Sequence, residues 1–81
     1  MARYSVNTKL SPAEAIKKAI AYFGAEGLGL EVTEQNPCCV SFVGGGGHVM
    51  VTAGTEENKT VVELETREWD YHVRQFIQKI A

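Results

Sequence analysis

The chain has 81 residues, which is room for one domain around a single core and too little for two. Hydrophobic residues make up 44% and charged residues 22%, a globular balance that excludes intrinsic disorder, and no apolar run approaches the ~18 residues of a membrane-crossing helix. Eight Lys and Arg against ten Asp and Glu give a formal net charge of −2, which argues against nucleic acid, whose phosphates call for a basic surface.

The opening segment from Met1 to Ser5 has no apolar stretch after Arg3, so it does not read as a secretory leader, and a cytoplasmic protein is expected. In residues 3–10, Tyr4, Val6, Thr8 and Leu10 alternate with Arg3, Ser5, Asn7 and Lys9, the period of a half-buried strand. A helix follows at once. Ser11 is a good N-cap, Pro12 suits the first helical position, and Glu14 completes a capping box. Ile16, Ala19, Ile20 and Phe23 recur at helical spacing, and Gly27 supplies a left-handed cap.

Four strands are predicted next. Leu28, Leu30 and Val32 alternate with Glu31 and Thr33, and Asn36-Pro37 signals a turn. Residues 39–43 form a third strand with Val40 and Phe42 on one face. Gly44 to Gly47 reverse the chain into a fourth strand at 48–53, a polar loop covers 54–59, and a fifth strand runs over 60–67. Trp69, Val73, Phe76, Ile77 and Ile80 then give the apolar stripe of a closing helix.

The whole is one α+β domain over residues 1–81, in the order strand, helix, four strands, helix. A five-stranded antiparallel sheet with both helices on one face satisfies that order, with the first strand beside the fifth. Arg3 and Lys9 would then face Glu63 and Glu65, opposite charges worth roughly 0.2–1 kcal/mol a pair.

The strand at 4–10, the glycine-bearing hairpin at 42–49 and the closing helix at 69–80 resemble, in their order, the TATA-box-binding-protein-like fold. They also resemble a shortened helix-grip fold, as in START lipid carriers and polyketide cyclases. The resemblance implies a sheet gripping its last helix and a ligand-binding or cyclase-like role. Helix-grip carriers are about twice as long. The basic, aromatic sheet face of the DNA readers is replaced here by Glu31, Glu63 and Glu65.

The run Gly44, Gly45, Gly46, Gly47 lacks the following helix, Lys and Ser or Thr of a phosphate loop, so it reads as a hairpin turn or a mobile lip. With His48 beside it and Trp69 near, it is the candidate ligand-binding site for a small apolar ligand. Catalysis would have to draw on His48, His72, Cys39 and Glu65, as in a minimal cyclase or hydrolase; a Cys–His pair is a nucleophile–base arrangement in principle. Cys38-Cys39 close almost no loop and read as two reduced thiols; with His48 and His72 they match no zinc spacing, so neither metal nor cofactor is expected. The outward positions Cys39, Val43, Met50 and Val61 are apolar for a solvated face, and the second strand is a weakly defended edge, so a homodimer is expected. A non-enzymatic binding or interaction module is therefore the first reading, and the minimal enzyme is the alternative.

Overall fold

A computed structural model describes residues 2–81; Met1, the start of the segment read as lacking a leader, lies outside them. In chain order the elements are β1 (Ala2–Thr8), α1 (Pro12–Phe23), β2 (Glu31–Asn36), β3 (Cys39–Gly44), β4 (Gly47–Glu56), β5 (Lys59–Arg67) and α2 (Asp70–Ile80). The strands form one antiparallel sheet in the order β1-β5-β4-β3-β2. Both helices cover the same face, so β1 closes beside β5 as the sequence predicts. On the open face Arg3 sits opposite Glu65, and their side chains pair at 2.8 Å. Among the described residues no helix is long and apolar enough to cross a membrane.

The core lies between the two layers. Val40, Phe42, Val49, Val51, Val62 and Leu64 rise from the sheet, and Phe23, Ala19, Val73 and Phe76 descend from the helices. Alternation along the strands and 3.6-residue spacing along the helices put these side chains on facing surfaces. Helix α1 starts where the capping box requires: Ser11 Oγ accepts from Glu14 N at 3.2 Å, and Glu14 Oε1 accepts from Ser11 N at 3.0 Å.

Helix α2 is tied to β1 at both ends. Tyr4 donates its hydroxyl to Asp70 Oδ2 at 2.8 Å, and Thr8 donates to the Ile80 carbonyl. Thr8 Oγ1 also accepts from Leu10 N at 3.2 Å, which bends the chain out of the strand. The first strand therefore stops at Thr8 rather than Leu10, and Lys9 leaves the outer face it was expected to share with Arg3.

Three further boundaries differ from the sequence reading. Gly27 is not a left-handed cap; Gly24 closes α1 by donating to Ile20 O, and the positive φ falls at Gly29, at 84°. Leu28 and Leu30 do not open the second strand. Their N–H groups bond to Tyr22 O and Phe23 O at 2.9 Å, satisfying the last helical carbonyls, so no strand partner can use them and β2 begins at Glu31. Finally, the polar segment 54–59 is mostly strand. β4 and β5 pair out to Glu56 and Lys59, and Glu57-Asn58 make a two-residue turn with φ of 49° and 67°. A turn of this kind favours Gly or Asn, and only one of the two positions advertises it.

The Ser11 N–H bond holds the Glu14 carboxyl below its ordinary pKa of 4.5, with the Ser11 hydroxyl adding to the effect. A depressed folded-state pKa contributes stability above the unfolded value and loses it as pH falls through the folded one. Glu14→Gln keeps the acceptor and removes the titration. Urea unfolding at pH 7 and at about pH 3 should therefore show a smaller acid-side loss in Glu14→Gln than in the unmodified protein.

Candidate functional site

The tetraglycine run is a tight hairpin. Gly44 pairs with Gly47, while Gly45 and Gly46 carry φ of 57° and 79°, both left-handed, as a type I′ turn requires. Gly47 meets a different demand: a Cβ there would lie 2.1 Å from the Arg67 carbonyl oxygen of β5. Trp69, half-buried just before α2, donates its indole N–H to Gly44 O at 2.9 Å. Its ring also lies against the turn, since a Cβ on Gly45 would sit 3.1 Å from Trp69 Cζ2. The structure thus brings Trp69 and the glycines together, as the sequence reading grouped them, and the contact between them is a hydrogen bond and a packed ring.

His48 follows on β4 with Nε2 at 3.9 Å from Glu65 Oε2, and Glu65 is also held by Arg3. His72 packs between Trp69 and Tyr71, with ring centroids at 5.6 and 5.2 Å. Cys39 and His48 share the open face, as alternation predicts. Cys39, however, pairs with Thr52, four residues along β4 from His48, which is ~13 Å of strand. Hydrogen-bond reach is roughly 3 Å, so the two do not form a nucleophile–base pair. The apolar outer positions each have polar residues or glycine directly opposite on the adjacent strands, and Val61 lies between Asn7 and Gly54. Met50 lies between Ser41 and Glu65, Val43 between Glu31 and His48, and Cys39 between Asn36 and Thr52.

A cleft of about 670 Å³ opens at the other end of the molecule, where the end of β1 meets α1 and α2. Leu10, Ala21, Tyr22, Phe76 and Ile80 give it an apolar floor, and Lys9, Lys18 and Lys79 stand around it. Among the described residues, three of the eight basic side chains of a net-negative chain gather there, and no acidic side chain lines the cleft. Lys79 Nζ lies 5.9 Å from the centre of the Tyr22 ring. Burial pushes the Tyr22 phenol up, with Tyr71 adding a little, so its hydroxyl stays protonated and able to donate.

No protein-family model matches the chain, and no curated protein or solved structure matches it. The site therefore rests on its own chemistry.

The lysine cluster escaped the sequence reading, which put Lys9 on the outer face of the first strand and gave Lys18 and Lys79 no part in a site. The available signal was the end-to-end closure of β1 against the last strand and helix, which brings Lys9 and Lys79 to one end.

The glycine geometry yields a ranked series. Gly46→Ala meets no neighbour within 4 Å and should cost only the left-handed backbone term, about 1 kcal/mol. Gly45→Ala should cost more, because the methyl also presses on Trp69. Gly47→Ala must push β4 from β5 and should cost about 3 kcal/mol. Denaturant unfolding measures all three; equal, small costs would mean that the run is a mobile lip.

Proposed function

We propose that this protein is a non-enzymatic binding domain for a small anion with an apolar body, held in the cleft between β1, α1 and α2. The observation that carries the reading is the pairing of an apolar floor with three lysines in a cleft of about 670 Å³. That volume lies within the ordinary range for small-molecule sites. The floor takes an aliphatic or aromatic body. Lys9, Lys18 and Lys79, spaced around the rim, attract a carboxylate, sulfonate or phosphate head, and the Tyr22 hydroxyl can donate to it. Ammonium groups at such a rim contribute roughly 0.2–1 kcal/mol each, so most of the affinity comes from the floor and the charge selects anions. The minimal-enzyme alternative needs a nucleophile within reach of a base, and neither His48 nor His72 has a thiol or hydroxyl partner among the described hydrogen bonds.

A second reading, association through the sheet edge, rests on β2. Every residue of β2 is exposed, and a groove of about 600 Å³, bordered by Ile16 and Ile20, runs between it and α1. A bulge between Val32 and Glu34, with carboxylates at Glu31 and Glu34, opposes self-pairing of this edge.

Amide chemical-shift titration with sodium decanoate, and with decanol as the neutral control, tests the proposal. The largest shifts should fall at Leu10, Ala21, Tyr22 and Lys79, and decanol should bind more weakly. Lys18→Glu should weaken decanoate binding about tenfold. Shifts centred on Gly44 to His48 and Trp69 would return the site to the hairpin. Concentration-dependent shifts along β2 without ligand would favour the second reading.

A further inference from the structure

Cys38 in the β2–β3 turn and Cys39 at the start of β3 aim their sulfurs at each other. Cys38 Sγ and Cys39 Sγ are 2.7 Å apart, and both cysteines are free. The turn holds them there. Asn36 Oδ1 accepts from Cys38 N at 3.1 Å and lies 3.2 Å from Cys38 Sγ, while the Cys38 carbonyl accepts from Ala53 N at 2.8 Å. Cys38 is exposed and Cys39 partly so, which leaves both sulfurs open to solution.

We propose that Cys38 and Cys39 form a narrow-bite dithiol site that takes one trivalent, monosubstituted arsenical across both sulfurs. Coordination number limits what two thiols can hold. Among the described residues no group of three or more His, Cys, Asp or Glu converges, so a zinc-type four-ligand site cannot be completed by the protein. Two adjacent sulfurs suit a soft centre that brings its own third substituent and needs two thiols only. The close spacing of the sulfurs favours bridging by one atom over linear ligation, which would hold them on opposite sides of the metal.

The protonation state fits as well. The hydrogen bond with Cys39 holds the Cys38 thiol above its ordinary pKa, with desolvation adding to it, so the Cys38 sulfur keeps its proton near neutral pH. A metal ion that needs thiolates must first displace that proton. With an arsenoso group the protons are consumed in the reaction. The As=O oxygen takes one proton from each thiol and leaves as water, two As–S bonds form, and neither arsenic nor sulfur changes oxidation state. Direct closure of Cys38 to Cys39 would instead need an oxidant and would strain the single peptide between them.

Phenylarsine oxide is the probe, and intact-mass spectrometry under native conditions is the readout. The unmodified protein should take up one equivalent, lose one water, and lose both thiols to iodoacetamide together. The adduct should survive excess glutathione, a monothiol, and be removed by 2,3-dimercaptopropanol, a dithiol. Cys38→Ser and Cys39→Ser should each reduce retention in glutathione on the order of 100-fold, because the second As–S bond forms within one molecule. Two arsenicals on one chain, or glutathione stripping the unmodified protein as readily as the variants, would overturn the site. The competition on unmodified protein decides the matter even if a serine variant folds poorly.

Discussion

The three phenylalanines of the chain hold its layers together. Phe23 of α1 stands at the centre, with its ring 5.5 Å from Phe42 of β3 and 5.4 Å from Phe76 of α2. All three are buried, so each contributes roughly 1.5–3 kcal/mol by leaving water, and tilted aromatic pairs add about 0.5–1.5 kcal/mol. An 81-residue domain has little other means of fixing two helices on one sheet. Tyr22 extends the cluster outward, 5.6 Å from Phe76, and its far side is a wall of the lysine-bordered cleft. The cleft begins where the aromatic packing stops.

Its other wall depends on β1. The Tyr4–Asp70 bond fixes the start of α2, and the Thr8–Ile80 bond fixes its end. Thr8 also turns the chain so that Lys9 and Leu10 leave the sheet and line the cleft. One hydroxyl thus ends a strand, anchors a helix terminus and delivers an ammonium group to the rim. The opposite end of the molecule is closed by Trp69 on the glycine turn. An open, charged end and a sealed end follow from the same sandwich, and this asymmetry is what favours the cleft as the binding surface.

Much of the architecture was legible because it is local. The capping box at Ser11 and Glu14, the alternation from Arg3 to Thr8 and the inward Val40 and Phe42 each follow from spacing within a few residues. The closure of β1 on β5 followed from handing four strands to a meander and leaving one over. Leu28 and Leu30 misled because apolar alternation marks a strand only when the backbone N–H groups are free, and here α1 uses them. The cleft was not legible, since Lys9 follows β1, Lys18 lies on α1 and Lys79 on α2, and packing gathers them. The cysteine pair was visible as a dipeptide, but the direction of two side chains at a turn depends on Asn36 and on Ala53 of the neighbouring strand.

Phe23 and Phe76 act as one unit between the helices. A double-mutant cycle with Phe23→Leu, Phe76→Leu and the pair, read by denaturant unfolding, measures that directly. The expected coupling energy is about 0.5–1.5 kcal/mol, the worth of an aromatic pair beyond its buried area. Additivity within about 0.3 kcal/mol would contradict it, and would mean that the two helices pack on the sheet independently.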